Sequence, residues 1–199
     1  MKWVRLFAVL VCACGQPAAP VAPAPVAPTP TTPTPATLTP ARGPITLSIV
    51  GTNDLHGAID RLPLFAGFVA NLRAARAADG GGVLLLDGGD MFQGTLESNL
   101  AEGADIVRAY NALGYVAVAV GNHEFDYGPV GPAVTPHAPQ DDPRGALKAR
   151  ASEAKYPFVV SNILDEATGA RIAWPNMPAS TVVEVAGIKI GVIGASTQS

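Results

Sequence analysis

Cysteine, charge and long apolar runs are all scarce in this 199-residue chain, and each shortage excludes a class of protein. The two cysteines, Cys12 and Cys14, lie too close together near the N-terminus to staple a domain, which excludes a disulfide scaffold. Charged residues make up 15% and the net charge is −3, so the chain is no polyelectrolyte disordered protein. Nor does it have the basic excess by which a patch grips a nucleic-acid polymer or an anionic membrane. The longest apolar run, at the extreme N-terminus, is shorter than the ~20 residues of a mature membrane-spanning helix. What is there suits one packed domain: 48% of the residues are hydrophobic, although alanine inflates that figure.

The first residues read as an export signal. Lys2 and Arg5 supply positive charge, and Leu6 to Ala13 supply a short apolar core. Leu10-Val11-Cys12-Ala13-Cys14-Gly15 then resembles a bacterial lipobox, in which cleavage precedes a cysteine that carries lipid. Cys14 fits that role better than Cys12, because it follows a small residue and ends the apolar run; an ordinary cleaved signal with incidental cysteines is the plainer alternative. Residues 1–14 are thus expected to direct export to a bacterial cell envelope, with Cys14 lipidated. The absence of aspartate after Cys14 favours the outer membrane over the inner, and a periplasmic location stays open. Between Gln16 and Ala41 no residue is charged, and proline alternates with Ala, Val and Thr. Proline fixes φ and lacks an N–H, so residues 15–43 should form an extended tether that holds a domain off a membrane.

From Pro44 onward, strands and helices alternate, which implies an α/β fold. Ile45 to Val50 reads as a strand entering a core. Leu64, Phe65, Phe68, Val69, Leu72 and Ala75 recur at helical spacing, closed by Gly80-Gly81-Gly82. Val83 to Leu86 reads as a buried strand, Gly103 to Leu113 as a helix and Tyr115 to Val120 as another strand. Gly128 to Asp142 should be a long loop, Gly145 to Lys155 a helix and Phe158 to Ile163 a strand. Thr181 to Val185 and Ile188 to Ile193 should pair as a hairpin about Ala186-Gly187.

Three strands run into polar turns of one plan: Asp54-Leu55-His56, Gly89-Asp90 and Gly121-Asn122-His123. In an open α/β sheet the strand C-terminal ends share one edge, where ligands bind. Carboxylate, imidazole and amide oxygen together suit a borderline divalent cation such as zinc, manganese or iron. Asp54 and His56, two apart in an extended segment, can face the same way. Asp90 is the candidate to bridge two cations, a pair that can clamp a phosphoryl group and activate a hydroxide. His123 could face the leaving group as a general acid or stabilise phosphoryl charge, with Asp126 holding its imidazole. Each turn alone reads equally well as plain structure, Asn122 as a helix N-cap for example; three together point to function. Elsewhere, His137 reads as solvent-exposed, Glu97 and Glu102 as surface acids, and Trp174 as a packing residue.

The three segments, extended to Asn53–Gly57, Gly88–Thr95 and Gly121–Gly128, closely resemble the calcineurin-like metallophosphoesterases. Within them the resemblance is to the bacterial 5′-nucleotidase / 2′,3′-cyclic-nucleotide phosphodiesterase branch. Ser161-Asn162-Ile163 and Gly191-Val192-Ile193-Gly194 look like later landmarks, and the resemblance runs from Ile45 to Ser199. It implies a four-layer α-β-β-α sandwich around two divalent metal ions. Asp54 and His56 would bind the first ion, Asp90 would bridge, Asn122 would bind the second, and His123 with Asp126 would be catalytic. The activity implied is hydrolysis of phosphate esters, nucleotides above all, with a small-molecule substrate and no nucleic-acid polymer.

Two departures accompany the resemblance. Val116 stands where the family often has an acid. The histidines of later loops, a Gly-His pair and a Gly-His-Thr-His segment, have no counterpart, and neither has the nucleoside-gripping C-terminal domain. Residues 44–199 are therefore expected to be the N-terminal part of such an enzyme, a sandwich incomplete at the C-terminus with apolar edges exposed. The competing expectations are an inactive lipid-anchored remnant and a thiosulfohydrolase-like relative of the same fold.

Overall fold

The computed structural model describes residues 43–197. The export signal, Cys14 and all but the last residue of the tether lie outside that range.

Strand β1 spans Leu47–Thr52 and pairs in parallel with β2, Gly82–Asp87; β3, Ala117–Ala119, and β4, Phe158–Val159, complete a parallel sheet of order β1-β2-β3-β4. Each crossover carries helix: α1 at Leu62–Ala78, the short α2 at Leu96–Leu100 with α3 at Ala104–Leu113, and α4 at Gly145–Glu153. Right-handed crossovers that step one way across a sheet put all their helices on one face. That face holds the core, in which Leu85, Val118, Phe158 and Val160 of the sheet side meet Val69, Ile106, Val107, Tyr110 and Leu147 of the helices.

The helix ends follow local chemistry. Pro63 sits in the first turn of α1, where a missing N–H does no harm. Gly103 and Gly114, with φ of 80° and 75°, bracket α3 in left-handed geometry. Arg73 of α1 donates to the carbonyls of Leu113 and Gly114 at 2.7 and 3.1 Å, placing a cation on the negative end of α3.

Strands β5, Ser180–Val185, and β6, Ile188–Ile193, form an antiparallel hairpin. Ala186 and Gly187 turn it with φ of 51° and 77°, as a two-residue primed turn requires. The hairpin stands against the sheet's other face, where Gly51, Leu86, Ala119, Val192 and Gly194 line one opening of about 580 Å³. Among the described residues the layers are therefore helix, parallel sheet and hairpin sheet.

The expected elements are present with shifted ends. The first strand begins at Leu47 rather than Ile45 and runs on to Thr52. The third and fourth shrink to three and two residues. Val160 and Ser161 leave the ladder because their N–H groups go to the carbonyls of Pro178 and Gly194. Along α1, Leu64 and Phe68 are exposed, so the buried stripe is narrower than the apolar spacing suggests.

Candidate active site

The three polar turns meet at the C-terminal edge of the sheet. The first is zipped to the second by backbone hydrogen bonds: the N–H groups of Asp54, His56 and Gly57 donate to the carbonyls of Gly89, Asp90 and Met91, each at 3.1 Å. Asp54 and His56 do face one way, but not through an extended segment. Their φ values are 53° and 47°, and Asp90 has 57°. Left-handed backbone is uncommon outside glycine, tolerated best by residues such as Asp and His, and it clusters at functional sites. The result brings Asp54 Oδ1 to 3.7 Å from His56 Nε2 and the His56 ring edge-on to that of His123, centroids 4.7 Å apart.

The second and third turns lie backbone to backbone. A Cβ on Gly89 would fall 2.6 Å from the nitrogen of Gly121, so both must be bare. The His123 N–H donates to Asp90 Oδ1 at 2.9 Å. Beneath them lies Glu124, to which the sequence reading gives no role. It is 1% exposed and accepts N–H donors from Asp90, Met91, Phe92 and Gly121 at 2.9, 2.9, 3.3 and 2.6 Å. Burial pushes its carboxyl up to about 7, against the pull of those four donors. A signal exists in principle: glycine-rich turns present N–H groups that need acceptors, and Glu124 lies within reach of both turns.

His123 opens a short 3-10 turn, His123–Phe125. Its Nδ1 lies 2.7 Å from Asp126 Oδ2. An ionised carboxylate only accepts, so Nδ1 carries the proton and Nε2 is left for other work. The hydrogen bond to Asp126 raises the His123 pKa above its ordinary value, with smaller help from the charges of Asp126, Asp90 and Glu124. Asn122 occupies the N-cap position, yet its side chain makes no capping bond.

Below β1 and β2 sits a second polar group that the sequence does not announce. Asp87, 5% exposed, accepts from the Thr52 hydroxyl at 2.5 Å, the Tyr110 hydroxyl at 2.9 Å and the Gly89 N–H at 2.8 Å. Tyr115 meets Thr52 at 2.7 Å and stacks on Tyr110 with ring centres 3.9 Å apart. Thr95 caps α2 and donates to the Gly57 carbonyl at 2.9 Å, tying the end of the second motif to the first.

Of the residues set aside, Glu97 and His137 are exposed, and Trp174 packs on the core with Lys148 Nζ 4.7 Å from its ring centre. Glu102 is no surface acid: it is largely covered, accepts the Gly131 N–H at 2.5 Å and lies 3.9 Å from Arg150.

Asp54, His56, Asp90, His123 and Asp126 are thus connected by direct contacts, with Asn122 adjoining. Their carboxylate, imidazole and amide donors fit a borderline divalent cation in kind. Among the described residues, however, no three His, Cys, Asp or Glu side chains are grouped closely enough to hold an ion.

Comparison with known proteins identifies the family. The family model for calcineurin-like phosphoesterases matches residues 47–169. Protein UshA of Salmonella pullorum is 36% identical over 158 residues, 76% of this chain and 25% of that protein. The 5′-nucleotidase of Vibrio cholerae serotype O1 is 34% identical over 159 residues, with the same shares. The crystal structure of a 5′-nucleotidase precursor from Thermus thermophilus matches with a TM-score of 0.51 at 27% identity, covering 76% of this chain and 28% of that one. The chain spans about a quarter of the length of the curated relatives it matches. With the family match covering all three polar turns and the sheet that presents them, the chain belongs to the calcineurin-like phosphoesterases.

Proposed function

We propose that the chain serves metal-dependent hydrolysis of phosphate esters, with 5′-nucleotides as substrates. The observation that carries this reading is the meeting of Asp54, His56, Asp90 and the His123–Asp126 pair at one sheet edge. Similarity to proteins named 5′-nucleotidase supports the choice of ester.

Asp54, His56, Asp90 and Asn122 would contribute ligands to two divalent cations, a part of the ligand set rather than the whole of it, and the ions would supply Lewis-acid stabilisation of phosphoryl oxygens. The protein's own part follows from its hydrogen bonds. Asp126 fixes the His123 tautomer, so Nε2 can carry a proton to the departing oxygen or donate to a phosphoryl oxygen. Asp126 also favours the protonated ring that this task needs. The Asp90 carboxylate is aimed by the His123 N–H, so the metal-binding and proton-carrying groups share one frame.

The test is phosphate release from adenosine 5′-monophosphate by the full chain with zinc or manganese. His123→Ala should lower kcat by about 10²–10⁴-fold, and Asp90→Asn should lower the activity at any given metal concentration. The activity should sediment with envelope membranes and become soluble in Cys14→Ser, which addresses export and lipidation together. No release by the unaltered chain, or unchanged release by both site variants, would overturn the assignment.

A further inference from the structure

A cleft of about 620 Å³ is lined by Asn122, the residue before His123, together with Phe125, Arg144, Asn162, Ser196 and Thr197. The long loop after the third motif delivers Arg144 to it, at the N-terminal boundary of α4. The guanidinium carbon lies 5.2 Å from the centre of the Phe125 ring, which holds the group over an aromatic face. Among the described residues no carboxylate forms an ion pair with Arg144. The nearest in sequence, Asp142, binds Lys148 Nζ at 2.7 Å through one oxygen and the Arg144 backbone N–H at 2.9 Å through the other. Opposite, the Asn162 amide donates to the Ser196 carbonyl at 2.7 Å and accepts its N–H at 2.9 Å, which fixes that wall.

The site next door is rich in carboxylates, from Asp54, Asp90 and Asp126. The cleft instead offers a cation with a planar fork of five donors, steadied by an aromatic ring. Such a fork matches a phosphate or carboxylate bidentately. We propose that Arg144 binds a second anionic group of the substrate, displaced from the ester that meets His123. The preferred substrates are then phosphoryl compounds in which the group attached to the reacting phosphoryl carries further negative charge, as the nucleoside monophosphate part of a nucleoside diphosphate does. This inference rests on the phosphoester reading above and deepens it.

Calorimetric titration of the full chain in manganese, with inorganic phosphate, adenosine monophosphate and adenosine diphosphate as probes, tests it. The diphosphate should bind more tightly than the monophosphate. Arg144→Ala should weaken diphosphate binding about tenfold or more while leaving phosphate nearly unchanged. Arg144→Lys should restore part of the loss, because an ammonium keeps the charge without the fork. Equal effects on phosphate and diphosphate, or none on either, would overturn the inference alone. Failure of the unaltered chain to bind any of the three probes would overturn the phosphoester reading and this inference with it.

Discussion

Four backbone N–H groups from two loops end on one buried carboxylate, that of Glu124. Among the described residues no cation forms an ion pair with it, so main-chain dipoles take the place of its solvation. Glu124→Gln keeps the shape but turns one acceptor oxygen into an NH₂ that must point at N–H donors. Hydrogen bonds to a buried charge are worth about 1.5–3 kcal/mol, and an unmade one leaves a desolvated donor. Above the carboxyl's pKa of about 7, where the charge is present, the substitution should therefore lower unfolding free energy by about 2–3 kcal/mol, read from the urea midpoint at pH ~9 and unchanged slope. A midpoint equal to that of the unaltered chain would mean that the carboxylate's charge does not hold the two turns together. The same residue shows what single positions reveal beforehand. Asp54, His56, Asp90 and His123 are legible because their side chains are the chemistry. Glu124 is not, because its contribution is to backbone groups brought together only by the fold.

At the scale of elements, strand ends act through what lies beneath them. Asp87 closes β2 and carries the hydroxyls of Thr52 and Tyr110 together with the Gly89 N–H, whose own carbonyl receives Asp54. Burial raises its carboxyl above the ordinary carboxylate pKa. The Thr52, Gly89 and Tyr110 donors pull it back and the Asp54 charge pushes it further up. The sign follows from linkage. The folded state holds this proton more tightly than the unfolded chain, so the stability it confers is complete below the ordinary value of 3.8 and is lost as pH rises through the folded pKa. Asp87→Asn cannot ionise. The difference in Tm, unaltered chain minus Asp87→Asn, should therefore fall as pH rises from 3.8 toward neutrality. A difference constant with pH would show that Asp87 titrates alike in both states.

Elements themselves are legible wherever periodicity or turn chemistry is strong. The hairpin appears with the expected Ala186-Gly187 turn, and α3 between its glycines. The short α2 is not legible because five residues give no period. The third and fourth strands are short because their apolar residues continue as core beyond the last ladder bond, as buried Val120 and Val160 do. An extended Asp54–His56 segment is the natural expectation for residues leaving a strand. The left-handed backbone there is imposed by pairing with the Gly89–Met91 turn, a contact that local sequence does not encode.

Over the whole molecule, apolar surface is distributed unequally between the two sheet faces. Helices cover one. Among the described residues a two-stranded hairpin covers only part of the other, and Ile49 of β1 is 68% exposed. The alternation along β5 and β6 turns Val183, Val185, Ile190 and Val192 to the half-buried side and leaves Val182 and Ile193 exposed at 67% and 76%. Exposed apolar side chains such as these bind apolar probes. The full chain should therefore enhance the fluorescence of anilinonaphthalene sulfonate in its folded state. Replacing Ile49, Val182 and Ile193 together by Lys should abolish most of that signal, with less than about 1 kcal/mol lost in stability, since exposed positions contribute little to packing. A second apolar groove, about 340 Å³ between α1 and α3 and lined by Ile59, Leu62, Pro63, Ala66 and Ala109, provides the contrast. If the triple variant keeps the full signal and Ala109→Glu removes it, the dye sits on the helical side and the sheet face is less open than its exposed side chains imply. If the triple variant loses it, the exposed apolar side chains of β1, β5 and β6 are where the dye binds.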